Sequence, residues 1–137
     1  MKSKLYSLFT LSIAVVFLMA FTPQDQKKGE PWEVPAKYEE MENPYAGDDS
    51  SERVAKMLWS KHCKSCHGNV GLGDGPKARQ LETFPGDFST EEFQSQSDGA
   101  IYYKSYIGRD EMPNFEKKIP DEEDRWILVN YMRTFAK

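Results

Sequence analysis

The chain has 137 residues, enough for one compact domain, of which 39% are hydrophobic and 29% charged. That balance argues against a membrane bundle or a disordered chain, and a net charge of −4 with no basic stripe argues against a nucleic-acid partner. The acid is concentrated: residues 23–50 hold three Lys against eight Asp or Glu, while residues 51–137 are nearly balanced.

Lys2 and Lys4 precede an apolar run from Leu5 to Phe21, broken only by Ser7, Thr10 and Ser12. These are the n-region and h-region of an export signal. Residues 1–22 read as a signal peptide or, because a run of roughly 17 residues reaches the lower limit for a spanning helix, as a retained N-terminal membrane anchor. Ala20 is a small residue for a cleavage site, but Leu18 is not. Residues 23–50 contain Pro23, Pro31, Pro35 and Pro44 among many charges, the composition of a linker or loosely packed arm. Trp32, Val34, Tyr38 and Tyr45 stand out there; they either coat the domain as a strap or contact a partner.

Asp49 and Glu52 have the spacing of an N-cap and its N3 partner, and Val54, Ala55, Leu58, Trp59 and His62 then recur at helical intervals, which predicts a first helix. Residues 68–76 contain Gly68, Gly71, Gly73, Gly75 and Pro76, so they form a tight irregular loop whose backbone approaches something closely. A middle helix is predicted from Ser97 or Asp98 to just before Gly108, a glycine suited to the C′ position. The last helix opens on Asp121-Glu122-Glu123-Asp124 and carries Arg133 and Lys137 near its end, matching the macrodipole at both ends. Ile127, Leu128, Tyr131 and Phe135 share one of its faces, with Trp126 beside it. No stretch alternates as a strand does, so residues 51–137 read as an all-α domain.

The only cysteines are Cys63 and Cys66, and His67 follows at once. This is the c-type haem attachment pattern: two thiols one turn apart each add to a haem vinyl group, and the next imidazole falls under the iron. A disulfide would leave His67 without a role. A thioredoxin-like dithiol needs a βαβ setting, and zinc would need His62, Cys63, Cys66 and His67 to close a tetrahedron from sequence neighbours.

Of six methionines, Met1 and Met19 lie in the export segment, Met41 in the arm, and Met57 and Met132 on helices where core packing is the ordinary role. Met112, in the loop Gly108 to Phe115, is left as the second iron ligand opposite His67. A thioether favours ferrous iron, so this pairing raises the reduction potential. A six-coordinate iron suits electron transfer and opposes binding of substrate or gas, so no catalytic residue is assigned and the chain is not read as an enzyme.

From about Ser51 to Lys137 the chain resembles a class I monohaem cytochrome c, especially the bacterial haem c domains attached to respiratory oxidases and related complexes. The resemblance rests on Leu58-Trp59 before Cys63, the loop Gly68 to Pro76, Met112-Pro113, and Trp126 through Tyr131. It implies three to four helices around one covalently bound haem c, the last helix crossing the first. Ala55 stands where the family usually has glycine at that crossing, and is expected to face Tyr131. It also implies that the carbonyl of Pro76 accepts a hydrogen bond from Nδ1 of His67 and orients this ligand.

The expected packing set is Val54, Leu58, Leu72, Leu81, Phe84, Phe88, Ile101, Tyr102, Ile107, Phe115, Leu128 and Tyr131, completed by the haem ring. Lys61, Lys64, Lys77, Arg79, Arg109, Lys117 and Lys118 either surround the haem edge and steer an acidic partner or are solvated charge; Arg79 and Arg109 are alternatively candidates for a haem propionate. The expected role is a periplasmic carrier, soluble or tethered, passing single electrons between a redox protein donor and acceptor, membrane respiratory complexes among them. The alternatives are a fixed haem c subunit of a larger respiratory oxidoreductase, or a haem sensor with an open iron.

Overall fold

The computed structural model describes residues 26–137, so the expected export segment at residues 1–22 lies outside the described residues. These residues form six α-helices: α1 (Ala36–Glu39), α2 (Glu52–His62), α3 (Lys64–His67), α4 (Glu91–Gln94), α5 (Asp98–Ile107) and α6 (Glu122–Arg133), with a 3-10 turn at Ala78–Gln80. No strand occurs among the described residues; the isolated bridges join Lys27 to Thr83 and Arg109 to Met112. The architecture is the expected all-α one.

Helix α6 starts where its acidic turn places it: the Asp121 carboxylate accepts from the Glu123 N–H at 3.0 Å, and the acids behind it favour the positive end of the helix. Its inward face buries Trp126, Ile127, Leu128, Val129 and Met132, and α2 packs across it through Ala55, Leu58 and Trp59. Burying each large side chain is worth about 1.5–3 kcal/mol. Ala55 is only 2% exposed, so no larger side chain separates the two helices here. Helix α5 is capped by Ser97, whose hydroxyl accepts from the Ala100 N–H at 3.1 Å, and its Tyr102 stacks on Trp126 at 4.2 Å. Arg133 ties the end of α6 to the start of α5, reaching Asp98 at 2.6 Å and the carbonyls of Gln94 and Gln96 at 2.7 Å each.

Two expectations are corrected. Helix α2 begins at Glu52 behind Ser51 rather than at an Asp49 cap: the Asp48 carboxylate takes the Ser50 N–H at 2.8 Å, and Glu52 pairs instead with Lys56 at 2.8 Å. Met57, expected in the core, is 60% exposed, whereas Phe84, at 41% exposed, lines the cleft beside Cys63, His67 and Met112, where the haem ring was expected to complete its packing. Leu58, Ile101, Tyr102, Phe115 and Leu128 are buried, while Val54, Leu72, Leu81, Phe88, Ile107 and Tyr131 are half-buried.

Residues 26–50 lie along the domain as a strap. The Tyr38 and Tyr106 hydroxyls meet at 3.0 Å. Asn43 donates to Asp98 at 3.0 Å and Asn130 at 2.8 Å, and Asn130 donates back to the Tyr45 carbonyl at 2.5 Å. Gly99 makes the fit: a Cβ there would sit 1.8 Å from the Tyr38 carbonyl oxygen.

Candidate haem site

Helix α2 delivers Cys63 at its C-terminal end, where the Cys63 N–H still bonds to the Trp59 carbonyl at 2.9 Å. The chain then continues into α3, with the His67 N–H on the Cys63 carbonyl at 3.0 Å. This turn sets both thiols and the imidazole on one wall, and Cys63 and Cys66 are free, half-buried thiols. Burial, with Cys66 adding to it, pushes the Cys63 thiol up to about 12, so the folded chain holds it protonated.

A helix end leaves carbonyls unpaired, and the glycine loop supplies their partners. Gly73 N–H bonds to the His67 carbonyl at 3.0 Å, Gly75 N–H to Cys66 at 3.1 Å, and Lys77 N–H to Ser65 at 2.8 Å. The approach requires glycine at position 75, where a Cβ would lie 2.5 Å from the Ser65 oxygen and 2.6 Å from the Lys64 oxygen. Both are backbone atoms that cannot swing aside. Gly75→Ala is therefore expected to destabilise the holoprotein by about 1–3 kcal/mol, read as a lowered denaturation midpoint; an unchanged midpoint would mean the loop is not packed this way.

His67 is buried, with the Phe88 ring at 4.7 Å and the Trp59 ring at 6.0 Å. Trp59 is held by its own bond to the Gly68 carbonyl at 3.0 Å. Burial pushes the His67 pKa down to about 4, opposed by the backbone of Pro85, so the ring is neutral, as a metal ligand must be. Pro76 does not take the place the resemblance gave it. It is exposed, Nδ1 of His67 is buried without a hydrogen bond of ordinary geometry, and the carbonyl acting on the ring is that of Pro85. The chain reaches Pro85 only after the turn at residues 78–80 and then bends at Gly86, whose φ is +91°.

Met112 enters from the end of α5. Gly108 turns the chain at φ +70°, a tight turn follows with paired bonds between Arg109 and Met112 at 2.8 and 2.9 Å, and Phe115 N–H returns to the Tyr106 carbonyl at 2.7 Å. Met112 is half-buried against the core. One cleft of about 670 Å³ is lined by Cys63, Cys66, His67, Met112 and Pro113, with Leu81, Phe84 and Phe115 as apolar wall. Of the basic residues, Lys61, Lys77, Arg109 and Lys118 reach it, whereas Lys64, Arg79 and Lys117 do not line it. The Arg109 guanidinium donates to the strap carbonyls of Glu30 and Pro31 at 2.7 and 2.9 Å.

His62, expected on the inward face of the first helix, also lines the cleft with Nε2 buried and unpartnered, and Pro85 was not singled out in the sequence at all. The donor set fits haem c: two thiols, a neutral imidazole and a thioether around a cavity of cofactor size. It does not fit zinc, because among the described residues no three His, Cys, Asp or Glu side chains converge as a metal-ion cage.

Fold and site together define a monohaem c-type cytochrome domain with covalently bound haem c. Residues 51–132 match the family described as cytochrome C oxidase, cbb3-type, subunit III, and the chain belongs to that family. No curated protein matches the chain closely enough to count as a relative. Its work is electron transfer through haem c, for which the bound group supplies a one-electron iron couple.

Proposed function

We propose that this chain is an exported periplasmic electron carrier, in which Cys63 and Cys66 hold the ring, His67 and Met112 hold the iron, and no substrate chemistry takes place. The observation that carries this reading is the single cleft whose lining brings together Cys63, Cys66 and His67 with Met112 and Pro113 from a distant loop. With haem bound, His67 and Met112 would together fill the iron's remaining coordination positions, and Leu81, Phe84 and Phe115 would provide an apolar lining that limits water there. Export is supported by the charged start and apolar run of residues 1–22, and redox partners in respiratory complexes by the family the chain belongs to.

That same family's description, an oxidase subunit, favours a second reading: a fixed haem c subunit of a membrane oxidoreductase. One experiment separates them. For a carrier, gentle extraction of native membranes should release the red chain alone, and the released ferrous protein should be reoxidised in milliseconds by the remaining membranes. Recovery only in a stable complex with other redox subunits would overturn the carrier reading and leave the subunit one.

A further inference from the structure

The turn that carries Met112 is tied down at two corners by side chains to which neither reading above assigns a role. Glu111 spans two backbone donors: one carboxylate oxygen accepts from the Glu82 N–H at 3.1 Å and the other from the Thr83 N–H at 3.0 Å. Arg109, on the other corner, donates to the Glu30 and Pro31 carbonyls and lies over the Trp32 ring at 4.6 Å. Both anchors lead to the same place. The segment held by Glu111 is itself paired with the strap, Lys27 N–H donating to the Glu82 carbonyl at 3.2 Å and Phe84 N–H to the Lys27 carbonyl at 3.1 Å. It runs directly into Pro85, whose carbonyl acts on His67.

The turn between the anchors has little freedom. Arg109 and Met112 exchange two backbone bonds, and Asp110, at φ +53°, is the non-glycine residue with positive φ among the described residues. At its entry, a Cβ on Gly108 would lie 2.4 Å from the Met112 carbonyl oxygen. Moving Met112 away from the cleft therefore means breaking the carboxylate's two charge-assisted bonds or the arginine's grip on the strap. A neutral thioether brings no charge to hold it at a metal, so its place at the iron depends on how firmly its loop is supported.

We infer that Glu111 is a positioning residue for Met112, with Arg109 as the second anchor of a clasp that keeps the sulfur at the iron and couples the ligand loop to the strap. This rests on the reading of Met112 as the iron ligand. In the holoprotein, Glu111→Ala should keep its covalent haem but weaken the charge-transfer absorption of the Met–iron(III) bond. Its ferrous form should bind carbon monoxide about tenfold faster than wild type at neutral pH, the equivalent of about 1.4 kcal/mol in the closed-to-open ratio of the loop. Glu111→Gln, which keeps one acceptor oxygen and the side chain's size, should fall between the two, and Arg109→Lys should outperform Arg109→Ala. The clasp is overturned if Glu111→Ala and Glu111→Gln bind carbon monoxide as slowly as wild type, with the absorption intact, while Met112→Ala binds it fast. Should Met112→Ala also behave as wild type, Met112 is not the ligand, and the clasp's role falls with that assignment.

Discussion

Cys63→Ser/Cys66→Ser, exported through a haem-attaching pathway, is expected to yield a chain that carries no covalent haem and little helix. A serine hydroxyl does not replace the thiol in forming the bond to a vinyl group, so the ring is held only by the two iron ligands and the apolar wall. Covalent attachment makes that ligation intramolecular, with an effective concentration in the millimolar range or above; without it, haem and chain separate on dilution. The domain is small enough to feel the loss, since chains of this size bury only roughly 60–70% of their unfolded surface. Leu81 and Phe84, which line the cleft, would then face water. Haem staining of a denaturing gel, pyridine haemochrome analysis and far-ultraviolet dichroism read the result. A double variant that keeps its pigment through acidic organic solvent would refute the assignment of these thiols.

What could be read in the sequence was what local chemistry decides. Ser97 and Asp121 cap helices α5 and α6 through their own side chains, so the starts were visible in residue types a few positions apart. The start of α2 was misplaced because two local solutions compete there: Asp49 and Glu52 have the spacing of a capping box, but the Asp48 side chain closes a turn on Ser50 first. Position 85 was missed for a related reason. The region after the motif holds two prolines, Pro76 and Pro85, and spacing alone does not say which carbonyl the chain folds back to His67. The strap was least legible. It is held by Arg109 on Trp32 and by Asn43 with Asn130, contacts that leave no periodicity, in a segment whose composition reads as a linker. Val129, fully buried on α6, was missed because α6 is buried on more sides than one amphipathic stripe: Trp126, Ile127, Leu128 and Phe135 are buried as expected, and Val129 with Met132 widens the face.

The second large effect expected is a fall in reduction potential in Met112→His, on the order of 0.1 V within the roughly 0.8 V range that axial ligands span. The direction follows from softness: a thioether stabilises ferrous iron, whereas a second imidazole, the harder and stronger donor, favours the ferric state. Histidine is the informative replacement because the iron stays six-coordinate and a half-buried side chain is exchanged rather than deleted, which limits any cavity. The turn itself should survive, since Arg109 and Met112 are joined through backbone groups that no side-chain change removes. Covalent haem content should remain that of wild type because Cys63 and Cys66 are untouched. A redox titration followed in the visible spectrum gives the potential directly, and the charge-transfer absorption of the Met–iron(III) bond should vanish in the same sample. If instead the potential and that absorption both match wild type, the sulfur on the iron comes from elsewhere. Met41, Met57 and Met132 do not line the cleft, so such a result would overturn thioether ligation by the described fold as well as the assignment of Met112.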